Sequence, residues 1–107
     1  MRGEALKGHL DLLLLSTLES GPAHGYAVIE TLAQQSAGQF ELPEGTVYPA
    51  LHRLELDGQL RSKWSTEAGR RRRVYRLTST GRRRLENGRK EWSSFAGAVQ
   101  AVLGAPG

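Results

Sequence analysis

The sequence predicts a small α+β fold that is mainly helical and ends in one long helix. Residues 42–58 have the apolar spacing and the terminal signals of a short helix. Two strand-like stretches follow at once, joined by a turn and a run of arginines. From Ser79 onward, apolar residues recur at the three-and-four spacing of a helix that packs against another helix. A short helix, a two-stranded ribbon and a long helix therefore make up most of the chain.

Composition limits the possible classes of protein. At 107 residues the chain is just large enough for a single core. It contains no cysteine, which excludes disulfides and thiolate metal sites. The longest leucine run, Leu12–Leu15, is too short to span a membrane or to form the core of a signal peptide. We therefore expect a cytoplasmic protein with no membrane partner and no cofactor.

The first predicted helix spans about Glu4 to Glu19 and is apolar on two sides. One face consists of Leu6, Leu10, Leu13, Leu14 and Leu18, and a second of Leu12 and Leu15. A helix that is apolar nearly all round is buried on more than one side. In a domain this small, we expect another chain to cover the second side.

The second predicted helix begins at His24-Gly25-Tyr26, after Ser20-Gly21-Pro22 has ended the first. Its inward positions are expected to be Tyr26, Ile29, Leu32 and Ala33. A polar, turn-like stretch, residues 34–38, then leads towards the third helix.

The third predicted helix has one apolar and one polar face. The buried face consists of Val47, Leu51 and Leu54. The opposite face carries Pro49, His52 and Arg53, with Thr46 and Tyr48 at its flanks. The helix ends at Asp57-Gly58, where glycine can adopt the left-handed conformation of a helix end.

Pro49 leaves two alternatives for the start of this helix. If Pro43 is the first helical residue, Pro49 removes one backbone hydrogen bond and bends the helix. If Thr46 is the N-cap, Pro49 falls in the first turn, where its missing N–H costs little. Either start leaves His52 and Arg53 on the outer face.

The ribbon is predicted to consist of strands Gln59–Ser65 and Arg73–Thr78, joined by residues 66–69 and an arginine-rich tip. Leu60, Ser62 and Trp64 alternate with Arg61 and Lys63 on the first strand, and Tyr75 and Leu77 alternate with Val74, Arg76 and Thr78 on the second. Because side chains alternate between the two faces of a strand, the apolar members of both strands should cover the core.

Positive charge is concentrated in the ribbon and just beyond it. Residues 61–84 hold ten basic and one acidic side chain, a net charge of +9, within a chain of net charge +4. A basic hairpin beside a helix with a polar outer face suits a protein that reads a DNA groove. The pattern predicts a winged helix-turn-helix, and its alternative is a solvated basic surface.

Each predicted DNA contact has a chemical reason. Arg53 suits guanine edges, and His52 suits a base or phosphate unless it is an idle surface residue. Hydroxyls at the helix start suit phosphates, and the arginines suit the DNA backbone or a narrow minor groove. Tyr26 is either a backbone contact or a core aromatic. The predicted set is Tyr26, Thr46, Tyr48, Pro49, His52, Arg53, Arg70, Arg71, Arg72 and Arg73, with Arg71 and Arg72 favoured in the arginine run.

Arg82-Arg83-Arg84 lie in the first turn of the last helix, where the helix dipole disfavours cations. They are interpreted either as contacts to flanking phosphates or as solvated charge.

The last helix is predicted over about Ser79 to Leu103, with Thr78 as its N-cap. Together with the first helix it is interpreted as a homodimer interface, formed by Leu6, Leu10, Leu85, Trp92, Phe95, Val99 and Val102. The chain then divides into a winged helix-turn-helix domain, residues 1–78, and a dimerisation helix, residues 79–107. The alternatives are a helix folded back on its own domain, or one broken at Asn87-Gly88.

The ordered set of motifs resembles the PadR family of transcriptional regulators over essentially the whole chain. The motifs are His24-Gly25-Tyr26, the segment GTVYPALHRLE at 45–55, Asp57-Gly58, Gly69-Arg70-Arg71, the segment VYRLT at 74–78, and Gly81. The short tail resembles the compact subfamily with one C-terminal helix.

This resemblance implies a homodimer that binds palindromic double-stranded operators, usually as a repressor. It also implies that a flat aromatic or cationic compound binds between the subunits, since Trp92 matches a tryptophan of the multidrug-responsive members. The corresponding effector site consists of Leu12, Trp92, Phe95 and Val99. The alternative for Trp92 is that it only packs the interface.

The sequence offers little for catalysis. His9, His24 and His52 lie in different elements without ligand spacing, and there is no phosphate loop, paired-carboxylate motif or nucleophile elbow. An enzyme is therefore not expected. The alternative function is a winged helix that binds RNA or protein rather than an operator.

Overall fold

The computed structural model describes residues 9–104 and has the predicted mainly helical α+β architecture. Its elements are α1 Leu10–Thr17, β1 Ala23–His24, α2 Gly25–Gln35, α3 Glu44–Leu56, β2 Leu60–Glu67, β3 Arg70–Leu77 and α4 Ser79–Leu103. The three strands form one antiparallel sheet in the order β1-β3-β2. Leucines of α1, α3 and α4 meet beneath this sheet and form one hydrophobic core.

Helix α1 is covered by its own chain fully at one position of its predicted second face and partly at the other. Leu15 is fully buried, and Leu12 lies against Gly88 of α4, where a Cβ would be 2.4 Å from Leu12 Cδ1. Leu15 therefore needs no partner chain, and for this residue the expectation was wrong, whereas Leu12 is only partly buried and its cover by another chain stays a prediction. The predicted beginning of this helix, including Leu6, lies outside the described residues.

Helix α2 turns the predicted Leu32 and Ile29 towards the core, but not Tyr26. Val28 and Leu32 are buried, whereas Tyr26 is 52% exposed, so the inward assignment of Tyr26 was wrong. The cause is Gly25, where a Cβ would lie 2.5 Å from Tyr48 Cε1. Since Gly25, Val28 and Leu32 share one side of the helix, this close approach to α3 directs Tyr26 outward.

Helix α3 begins at Glu44 with Pro43 as its N-cap residue, close to the first of the two predicted starts. Pro49 therefore lies in the second turn and has no N–H to donate to the Gly45 carbonyl. The buried residues include the predicted Val47, Leu51 and Leu54. The helix ends at Leu56, and Gly58 has the expected positive φ of 77°.

The ribbon, here called the wing, consists of β2 and β3 and is longer than predicted. Its turn contains only Ala68 and Gly69, whose φ values are both positive, 50° and 76°. Two successive positive φ values define the hairpin turn that best matches the twist of paired strands. The arginine run, residues 70–73, thus lies within β3 instead of forming a loop at the tip, and that prediction was wrong.

The core-facing side of the wing follows the predicted alternation only near its base. Leu60, Tyr75 and Leu77 are buried, but Trp64 is 53% exposed. Trp64 pairs with Arg73 in a part of the wing where both residues lie beyond the core. The assignment of Trp64 to the core was therefore wrong.

Helix α4 begins as predicted and continues unbroken through Asn87-Gly88. Thr78 Oγ1 accepts a hydrogen bond from the Gly81 N–H at 3.0 Å, which caps the helix. At Gly81 a Cβ would lie 2.1 Å from the Gln59 carbonyl oxygen, so α4 starts in close contact with the base of the wing.

The first half of α4 packs on the domain, and the second half exposes its apolar side chains. Leu85 is 1% exposed and belongs to the core of its own chain, which leaves it no surface for a partner. Arg89 donates to both carboxylate oxygens of Glu19 at 2.6 and 2.7 Å, and this hydrogen bonding lowers the Glu19 pKa. Beyond Arg89, Trp92 and Val102 are both exposed.

Candidate nucleic-acid interface

The outer face of α3 presents the polar side chains that the sequence placed there. Thr46, Pro49 and His52 are all exposed. Tyr48 is 38% exposed, with its ring against Gly25 at the start of α2. Two hydroxyls and an imidazole thus lie along one accessible helix face, beside backbone N–H groups of the first turn that suit an anion.

Arg53 lies on the same face but has an intramolecular partner. Its guanidinium donates to the carboxylate of Asp11 on α1, and its side chain remains 53% exposed. Any external anion that binds this arginine must therefore compete with Asp11. Sequence reasoning missed Asp11, because residues 42 positions apart share no local pattern.

A groove of about 660 Å³ separates α3 and the start of α2 from the wing. It is lined by His24, Gly25, Tyr26, Glu44, Tyr48, Trp64, Arg70, Arg71, Arg72, Arg73 and Tyr75. We call this feature the wing groove. Its one acidic lining residue is Glu44, and burial raises the pKa of Tyr75 above its ordinary value. The wing groove therefore brings together Tyr26, Tyr48 and the predicted arginine run.

The four arginines of the run differ in their local partners. Arg72 Nη1 lies 2.7 Å from His24 Nε2, and Arg73 Nε donates to Ser62 Oγ at 2.7 Å. Arg71 lies over the Trp64 ring, 4.7 Å from its centroid, and the Arg70 side chain has no hydrogen bond within residues 9–104. Arg70 and Arg71 are therefore the most available to an external anion.

Trp64 is the functional candidate that sequence reasoning missed in the wing. Arg71 and Arg73 both lie over its ring, at 4.7 and 5.4 Å from the centroid. Cations are attracted to the face of an aromatic ring, which restricts their rotamers. The alternation of Trp64 with Arg61 and Lys63 predicted the face of the strand on which Trp64 lies. It could not show where along the strand the core ends.

Glu55 holds the wing to α3. Its Oε2 accepts from the Ser62 backbone N–H at 3.1 Å and from Ser62 Oγ at 2.6 Å. Glu55 Oε1 lies 3.8 Å from Arg73 Nη2. These contacts fix the angle between the exposed helix face and the basic ribbon.

The arginines near the start of α4 are not simply solvated charge. Arg84 donates to Gln59 Oε1 at 2.7 Å and to Asp11 Oδ2 at 3.4 Å. Arg83 donates to Thr80 Oγ1 at 3.3 Å. Arg84 is thus held to α1 and to the base of the wing, whereas Arg83 bonds only within α4.

The predicted effector residues fall in two places. Leu12, Trp92 and Phe95 line a cavity of about 670 Å³, to which His9, Arg83, Arg84 and Glu91 also contribute. The Trp92 ring contacts His9 edge-on at 5.0 Å and Phe95 at 5.9 Å between centroids. Val99 does not line this cavity and instead adjoins Phe95, Ala98, Val102 and Leu103 on an apolar surface.

The described residues, 9–104, contain neither a candidate membrane span nor a candidate metal site. None of the helices described there is long and apolar enough to cross a membrane. Within the same range, no cluster of three or more histidine, aspartate or glutamate side chains could hold a metal ion.

Three helices with a basic antiparallel wing define the chain as a winged-helix protein. The model of the PadR-like family of transcriptional regulators matches residues 14–87, which is most of the chain. The chain therefore belongs to the PadR-like family. It is a DNA-binding transcriptional regulator and not an enzyme.

Individual relatives agree with this assignment. The transcriptional regulator Rv3488 of Mycobacterium tuberculosis is 36% identical over 82% of this chain and 79% of its own length. The crystal structure of a PadR family regulator from Eggerthella lenta has a TM-score of 0.82 at 33% identity, covering 96% of this chain and 88% of that one. A PadR family regulator from Clostridium difficile has a TM-score of 0.79 at 33% identity, covering 90% and 99%.

Proposed function

We propose that this chain is a repressor that binds a palindromic operator as a homodimer and is released by a planar aromatic ligand. The observation that carries the proposal is the wing groove, where arginines and exposed aromatic rings adjoin the polar face of α3. This combination suits a duplex, since cations follow phosphates while a helix face reads base edges. The proposed place of action is the cytoplasm, where the chromosome of a bacterium lies.

In this proposal the two parts of the surface have separate roles. His52 and Arg53 reach base edges from α3, with Pro49 contacting apolar base surface. Thr46, Tyr48 and Tyr26 contact phosphates, and the exposed arginines of the wing follow the backbone or enter the minor groove. Glu55 keeps the two parts at a fixed angle, so that both engage one face of the duplex.

Selection from genomic DNA tests operator binding and yields the operator sequence at the same time. Purified protein is mixed with sheared DNA of the source genome at physiological salt, and the retained fragments are sequenced. We expect a small set of fragments that share one palindrome. A variant with His52 and Arg53 replaced by alanine is the control, and it should lose the enrichment. Retention of random fragments, or preferential retention of structured RNA, would contradict operator binding.

Dimerisation is proposed through the outer half of α4. Apolar side chains are exposed along it: Trp92 47%, Phe95 58%, Val99 36%, Val102 86% and Leu103 78%. Exposed apolar side chains concentrated on one helix mark an interface, and their heptad-like spacing fits a second copy of the same helix. Leu85 is left out of this interface because it is buried within its own chain. The proposed division of the chain remains residues 1–78 for DNA binding and 79–107 for dimerisation.

Ligand release is proposed at the cavity beside Trp92. The indole and the Phe95 ring provide apolar faces for a planar aromatic ligand, and a cationic ligand would gain from the ring quadrupoles. A ligand seated there would favour an arrangement of subunits that no longer fits the operator.

This ligand site is tested by fluorescence in a Trp64→Phe background, where only Trp92 emits. Planar aromatic cations should quench Trp92 and release operator DNA at the same concentrations. A Trp92→Ala variant serves as the control; it should bind the operator more weakly, because Trp92 also lies in the proposed interface, and the compounds should no longer release its DNA. If no compound quenches Trp92 or releases DNA, Trp92 only packs the interface.

A further inference from the structure

We propose that Asp11 is a positioning residue for DNA binding, because its carboxylate is shared between the recognition helix α3 and the last helix α4. Oδ1 accepts from Arg53 Nη2, and Oδ2 accepts from Arg84 Nη2 at 3.4 Å. Asp11 itself belongs to α1. One carboxylate therefore connects three helices, of which α3 carries the polar face and α4 carries Trp92.

Asp11 is more shielded from solvent than its two arginine partners, and both compete for its carboxylate. Its side chain is 22% exposed, whereas those of Arg53 and Arg84 are 53% and 45% exposed. A partly shielded carboxylate with two cationic partners divides its acceptor sites between them. When Arg84 leaves, Asp11 interacts with Arg53 alone and holds it more strongly. The availability of Arg53 therefore depends on Arg84.

Asp11 and DNA are rival acceptors for the same guanidinium. Arg53 lies on the exposed face of α3, where a phosphate or a guanine edge would accept its N–H groups. Forming that contact requires Arg53 to leave Asp11, so Asp11 weakens binding to any duplex. Loss of Asp11 would remove this competition and leave Arg53 free to contact the duplex.

Arg84 connects this competition to the cavity beside Trp92, which Arg84 also lines. Its other hydrogen bond, to Gln59 Oε1 at 2.7 Å, ties it to the base of the wing. A displacement of α4 at Trp92 would move Arg84 and change the strength of the ion pair between Asp11 and Arg53. This inference deepens the proposed regulation and rests on duplex binding.

The first test is the Asp11→Asn variant, measured as a full-length protein without ligand. Its affinity for operator and random duplex should increase about two- to fivefold, the range of an exposed ion pair. Asp57→Asn is the matched control, since Asp57 lies just beyond α3 and its exposed side chain has no hydrogen bond within residues 9–104.

Two double-mutant cycles separate positioning from simple removal of charge. The gain from Asp11→Asn should vanish in an Arg53→Gln background. Arg84→Gln should weaken binding about two- to fivefold in the wild type but not in an Asp11→Asn background. Thermal melts should show that all variants remain folded.

Different results would overturn the role of Asp11 and the link through Arg84. Equal gains from Asp11→Asn and Asp57→Asn, or a gain that persists without Arg53, would overturn the positioning role. An equal loss from Arg84→Gln in both backgrounds would overturn the link to α4. Absence of duplex binding in the wild type itself would overturn this proposal and the proposed function together, whereas failure of the ligand titration alone leaves both cycles informative.

Discussion

Replacing Arg70 and Arg71 together with alanine is expected to weaken binding to operator and random duplex alike by about thirtyfold at physiological salt. These two arginines line the wing groove, and neither side chain donates a hydrogen bond to another residue within the described range. Each phosphate contact adds about 0.9 to the slope of log affinity against log salt. We therefore expect the slope to decrease by about 1.8, as measured by fluorescence anisotropy across a salt series.

The control for this prediction removes the same charge elsewhere on the wing. Arg61 and Arg76 are paired across β2 and β3 and point to the face opposite the core-facing Leu60 and Leu77. Their double replacement with alanine should change the slope much less. Arg72→Ala alone should also have a smaller effect, since its guanidinium already contacts His24. Equal losses from both double variants would mean that the wing acts only through its net charge.

Phe95→Glu is expected to convert the protein into a monomer and to weaken operator binding by about a hundredfold or more. Phe95 is 58% exposed, so a carboxylate there leaves the core of the chain intact. In a dimer, however, the charge would be buried against the apolar side chains of a second α4. When one subunit of a dimer binds its half-site, the other subunit is held at a high effective concentration near the second half-site. Loss of the dimer removes this gain, which is worth about two to four orders of magnitude in affinity.

Sedimentation velocity at micromolar concentration measures the first effect, and operator titration measures the second. Gln100→Glu is the matched control, because it adds the same charge at an exposed polar position of the same helix. That variant should remain dimeric and bind normally. A wild-type protein that sediments as a monomer, or a Phe95→Glu variant that stays dimeric, would contradict this interface.

Several features of the fold could be predicted because their causes are local. The buried spacing of Val47, Leu51 and Leu54 fixed the orientation of α3, and with it the exposure of His52. Thr78 is followed by a helix whose Gly81 N–H it caps, and Gly58 has the positive φ expected beyond a helix end. Each of these depends on residues within two turns of the chain.

The errors arose where distant residues decide the outcome. Tyr26 faces outward because Gly25 packs on Tyr48, which lies in another helix. Trp64 is exposed because the wing extends beyond the core, and strand alternation carries no information about where a core ends. The arginine run was predicted to form the tip that joins the two strands. The two-residue turn at Ala68 and Gly69 instead places the run in β3.

The candidate site was predicted in its residue types but not in its internal contacts. The sequence identified the polar face of α3 and the basic ribbon, since charge and spacing are visible along the chain. It could not reveal that Asp11 contacts Arg53, that Glu55 contacts Ser62, or that Trp64 supports Arg71. These contacts determine which arginines are free to meet DNA, and they depend on the packing of α1, α3 and the wing.

The central claim is that α3 and the wing of a dimer read one palindrome, and a ratio of dissociation constants tests it most directly. The selected palindromic duplex and a scrambled duplex of the same composition are titrated with wild-type protein at one physiological salt concentration. A sequence-specific dimer should bind the palindrome tighter by about 10³-fold or more. A ratio near one would contradict the claim, because it would leave only a basic surface that binds any duplex.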